Sequence, residues 1–99
     1  MMETRILIKM IVHGKDPASR RQFFQVLAIE ATDEAAGKAA ARRFLTSDGY
    51  DLCGFDGEST RLRSLNEVRD TLRLLEPPID GVIARSGRAW FEADDDEKA

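Results

Sequence analysis

Two stretches near the start of the chain alternate strictly. In TRILIKMIVH, residues 4–13, Ile6, Ile8, Met10 and Val12 share one parity, while Leu7 and Ile11 share the other with Arg5, Lys9 and His13. A period of two belongs to a strand. GKDPAS, residues 14–19, is turn material whose proline cannot sit centrally in a ladder. RQFFQVLAIEA, residues 21–31, alternates again, with Phe23, Gln25, Leu27, Ile29 and Ala31 on one parity and Phe24, Val26, Ala28 and Glu30 on the other. Two long strands with a short loop predict a hairpin.

The period then changes. TDEAAGKAAARRFL, residues 32–45, predicts a helix capped by Thr32, with Asp33 and Glu34 in a first turn where the helix dipole favours acid. Ala36, Ala40 and Phe44 form its buried stripe, widened by Ala35 and Ala39, and Gly37 suits close packing. Ser47-Asp48-Gly49 ends it, residues 50–55 read as a short strand, Asp56-Gly57 as a turn, and residues 58–63 as a further short strand. Ser64-Leu65-Asn66-Glu67 has a capping-box pattern, and Leu65, Val68, Leu72 and Leu75 recur at spacings of three and four. That predicts a second helix, stopped by Pro77-Pro78. The segments 81–85 and 88–92 flank Ser86-Gly87 as a tight hairpin. The order β-β-α-β-α-β-β predicts an α+β fold, a two-layer sandwich of a mainly antiparallel sheet with two helices on one face.

One feature does not fit a simple sandwich. An antiparallel sheet covered on one side alternates cleanly, with a wet outer face, yet both parities here are apolar. Leu7, Ile11 and one of Phe23 or Phe24 look away from the expected core. Either the sheet curls and buries them, or this face meets another chain. Under the second reading Leu7, Ile11 and Phe23 are interface residues. Arg85, Arg88 and Trp90 join them from GVIARSGRAWFEADDDEKA, residues 81–99. Trp90 is either an interface anchor, with Arg85 or Arg88 against its ring, or the large residue that closes a small core.

Size and charge narrow the functions. The 99 residues suit one domain, expected over residues 1–93 and followed by an acidic tail, residues 94–99. The hydrophobic share of 42% and charged share of 33% are those of a folded protein. No apolar run approaches the roughly 20 residues that span a bilayer. The early glutamate and the lack of a cleavage site argue against a secretory signal, and single Cys53 fits a reducing compartment, so a cytoplasmic protein is expected. Residues 1–50 have a balance of +2, whereas residues 51–99 have −5. Basic residues never run beyond two in succession, which disfavours nucleic acid unless the fold gathers Arg42, Arg43, Arg69 and Arg73.

The chemistry-bearing residues are sparse. His13 is the sole histidine and has no evident orienting partner. Cys53 lies inside an expected strand and reads as a core residue. One His and one Cys do not make a common zinc set, and Asp51, Asp56 and Glu58 lack the order of a calcium loop. No dinucleotide or phosphate-loop motif occurs, so neither cofactor nor metal is expected. The best-fitting class is a non-catalytic protein-interaction module, homodimeric, or masking a basic partner through Asp94, Asp95, Asp96 and Glu97. Two alternatives stand beside it. One is a small enzyme whose site forms at a subunit junction from His13, Arg85 or Arg88, and Asp51. The other is a ligand-sensing regulatory domain with a pocket beside Phe55 and Trp90.

Overall fold

The two alternating stretches pair as their pattern predicts. In the computed structural model, which describes residues 4–91, β1 (Ile6–Lys15) and β2 (Gln22–Ala31) form an antiparallel ribbon, from Ile6 opposite Ala31 to Lys15 opposite Gln22. The connecting turn is organised by Asp16, whose carboxylate accepts from the Ala18 N–H and the Ser19 hydroxyl, both at 3.0 Å. Every other strand is built onto this ribbon or its neighbours. The free edge of β1 is shared by β3 (Asp51–Phe55), beside Val12–Lys15, and β4 (Thr60–Leu62), beside Leu7–Lys9. The free edge of β2 is shared by β6 (Val82–Arg85) and β7 (Ala89–Phe91), and β5 (Arg73–Ile79) lies outside β6.

One α-helix, α1 (Glu34–Ser47), covers the first face of this sheet. Its cap is Asp33, one residue later than expected: the carboxylate accepts from the Ala36 N–H at 2.8 Å. Ala40, Ala41, Phe44 and Leu45 of α1 pack on Ile8, Met10, Val12, Phe23, Leu27 and Ile29. A Cβ on Gly37 would lie 2.9 Å from the Met10 methyl, so this helix approaches the sheet too closely for even an alanine without adjustment.

The expected second helix does not exist. Among the described residues the fold has a single α-helix and one 3-10 turn, Leu65–Glu67, and the two do not share a face. The capping box at Ser64 is present, with the Glu67 carboxylate accepting from the Arg63 and Ser64 N–H groups. Beyond it, Asn66, Asp70 and Thr71 are poor helix formers, and the chain continues through turns bonded from Leu72 N–H to Val68 O at 2.8 Å. The spacing that suggested a helix mixes two environments. Val68 and Leu72 are buried in a second, smaller core with Ala28, Leu62 and Ala84, whereas Leu75 packs against the first core. Leu74 and Leu75 alternate because they belong to β5. Pro77 and Pro78 therefore lie inside a strand, on its outer edge, where a missing N–H is tolerated; the ladder skips from Leu74 to Ile79 around them.

The last hairpin is also placed differently. The turn is Asp80-Gly81, with φ of 51° and 88°, the left-handed pair that a two-residue hairpin loop requires. β6 and β7 do not pair with each other. They follow one another along β2, and Ser86 repairs the ladder at the break between them. Its N–H donates to Val26 O at 2.9 Å, its hydroxyl oxygen accepts from the Val26 N–H at 2.8 Å, and its carbonyl accepts from the Gln25 side-chain amide at 2.9 Å.

Candidate functional site

Trp90 stands opposite Phe23, and this register turns it toward the α1 side of the sheet. Its ring lies 4.9 Å from that of Phe23 and 5.8 Å from that of Tyr50, so it closes the first core at the C-terminal end of α1. The cation over it is Arg21, 5.1 Å from the ring centre, which the sequence reading did not single out. Arg88 lies 4.6 Å over Tyr50 and forms an ion pair with Asp48. Arg85 donates to the Ser86 carbonyl at 3.5 Å. This cluster is a structural rivet in which each charge has a partner or an aromatic face.

The surplus apolar residues of the second face divide into two halves. Leu7, Val26, Leu65, Leu74 and Ile83 pack around the second core, beneath the segment that runs from the 3-10 turn to Leu72. That segment ends before the other half of the face. There, His13 stands directly opposite Phe24 and Gln22 opposite Phe91, and Ile11 borders the second core opposite Val26. The rings of His13, Phe24 and Phe91 form a triangle with centre separations of 5.2, 5.8 and 5.1 Å. Phe24 is 36% exposed, a large value for a phenylalanine in the middle of a sheet. The patch is flanked by small residues, Gly54 opposite His13 and Ala89 opposite Phe24, and a Cβ on Gly54 would meet nothing within 4 Å. Lys15 opposite Asp51 puts one cation and one anion at its rim.

The expected interface residues therefore fall in different places. Ile11 lies in the open half. Leu7 is half-buried at the second core. Phe23 is fully buried, and its neighbour Phe24 presents the exposed ring. The expectation for Phe23 is therefore corrected: the register with β1 sets Phe24, not Phe23, beside His13 on the second face. Asp94, Asp95, Asp96 and Glu97 lie outside the described residues.

The groups considered for catalysis are dispersed. The His13 Nε2 meets the Gln22 side-chain oxygen at 2.5 Å, and its ring neighbours are the two phenylalanines. Cys53 is exposed instead of buried, because it is the unpaired residue where Leu52 and Gly54 oppose Gly14 and His13. Among the described residues no group of three or more His, Cys, Asp or Glu side chains is placed to hold a metal ion. Arg42 and Arg43 lie on α1 and Arg69 in the segment under the opposite face, so the sheet separates them. No helix of the described residues is long and apolar enough to cross a membrane.

Of two open clefts among the described residues, neither is lined by Phe55 or Trp90. One of about 350 Å³ lies between the start of α1 and the β5–β6 turn; another of about 300 Å³ lies along Leu65, Leu74, Leu75, Pro78 and Ile83. Comparison of the chain with protein-family models, with curated proteins and with solved structures finds no match.

Proposed function

We propose that the protein is a non-catalytic interaction domain that pairs with a second copy through the open half of its second sheet face. The observation that carries this reading is the aromatic triangle of His13, Phe24 and Phe91, continued by Ile11, on a face whose other half the protein covers for itself. Sheets stack face to face at about 10 Å, a spacing that side chains of this size fill. A two-fold pairing requires a self-complementary patch. Lys15 and Asp51 on the same rim supply it, since the cation of one copy can meet the anion of the other. A basic partner is a poorer occupant of this face, because Lys9 and Lys15 project from it.

Sedimentation of the full chain tests the reading. A species of twice 11.1 kDa is expected at micromolar concentration, with Phe24→Asp giving a folded monomer whose Tm, unlike the parent's, does not depend on concentration. A monomer that persists up to about 100 µM, a concentration that reveals even weak pairing, overturns it. So does a dimer that Phe24→Asp leaves intact.

A further inference from the structure

The end of the sheet remote from the aromatic patch carries the larger cleft, about 350 Å³, within the range of roughly 300–1,000 Å³ typical of small-molecule sites. Its floor is small and apolar: Ala31 on β2, and Ala36 and Ala40, which helical spacing stacks on one face of α1. Its rim carries both signs of charge. Arg43, one turn beyond Ala40, and Arg5 supply cations, while Glu30 and Asp80 supply carboxylates. The Glu30 N–H donates to Gly81 O at 2.8 Å, which fixes the β5–β6 turn, and Asp80 with it, beside the end of β2. Among the described residues, Arg43, Glu30 and Asp80 form no ion pair, so this one cation and these two carboxylates face one space without neutralising each other across it.

We propose that this cleft binds a small zwitterion of the α-amino-acid class, its carboxylate toward Arg43 and its ammonium toward Asp80 and Glu30. A simple anion would meet the two acids, and a simple cation would meet Arg43. A molecule carrying both charged groups on one carbon satisfies both walls and leaves its side chain over the alanine floor. The site does not depend on the dimer.

Amide chemical shifts of the full chain are followed with glycine, L-valine, and the two halves of valine, isovalerate and isobutylamine. Valine is expected to give saturable shifts at Thr32, Ala36, Ala40 and Gly81. Each half-molecule binds about tenfold more weakly or worse, the usual loss when one charge-assisted hydrogen bond is removed. Arg43→Gln and Asp80→Asn each weaken valine by about the same factor. Glutamine keeps the helix and asparagine tolerates the left-handed turn, so both variants fold. Absence of saturable shifts with either amino acid overturns the proposal, as does isovalerate or isobutylamine binding as tightly as valine, or variants that bind like the parent.

Discussion

Ser86→Ala removes one oxygen from the break between β6 and β7, and the cost follows from what that oxygen does. It accepts the Val26 N–H at 2.8 Å and donates to Gly87 O at 2.8 Å. Gly87 is exposed, so its carbonyl turns to water at little cost. The Val26 N–H is in mid-sheet on a half-buried residue, with no second acceptor in the ladder. An orphaned buried donor costs about 1–3 kcal/mol, and partial access to water puts this case at about 1–2 kcal/mol. For a domain of this size each kcal/mol lowers Tm by about 4–8 °C, which predicts a fall of about 4–16 °C. Urea unfolding measures the stability, and hydrogen exchange reads the Val26 amide directly: its protection should collapse while that of Leu27 and Ile29 follows global stability. Ser59→Ala is the control, because its solvent-accessible bond to Glu34 predicts a change within about 0.5 kcal/mol. If Ser86→Ala also stays within about 0.5 kcal/mol and Val26 remains protected, the serine does not hold the two halves of this edge together.

Three further outcomes test other parts of the fold. Gly14→Ala drives a methyl into the Phe23 ring and to 2.9 Å from a Leu45 methyl, both fully buried; overpacking of this kind predicts a loss of about 1–3 kcal/mol in denaturant titration, and a neutral result contradicts the packing of α1 on β1. Leu72→Ala, at a site 7% exposed, should cost about 2–4 kcal/mol; a loss typical of a surface position would mean that the second core does not form. The Cys53 thiol should react stoichiometrically with a disulfide reagent in native buffer, whereas reaction only after unfolding would show that the β3 irregularity is misplaced.

What the sequence made legible was periodicity over long spans. The core face of β1 is legible in ten residues of alternation, which leave little freedom of register, whereas that of β2 is not: Phe23, expected at the interface, is buried, and Phe24 faces outward. The same pattern exposed the unusual second face, which is where the proposed interface lies. Short segments misled. Leu65, Val68 and Leu72 share a core without forming an α-helix, and Leu75 joined the apparent stripe by coincidence. Pro77-Pro78 looked like a helix stop, which masked the Asp80-Gly81 hairpin signal two residues on. Trp90 could not be placed because its facing depends on pairing with Phe23, a contact that no local pattern encodes. The larger cleft was invisible for a similar reason: Arg5, Glu30, Ala36 and Asp80 come from four separate parts of the chain.

The shared edges of the ribbon have a consequence for how the chain comes into being. Residues 6–31 form first during synthesis and close on local contacts, but both flanks of this ribbon are then bare. One flank waits for β3 and β4. The other waits for β6 and β7, whose bond from Ser86 to Val26 spans 60 residues. Until the last third of the chain arrives, β2 offers an unpaired apolar edge to any extended strand nearby. Removal of the segment from β5 onward would therefore leave a template for aggregation in place of a smaller stable domain.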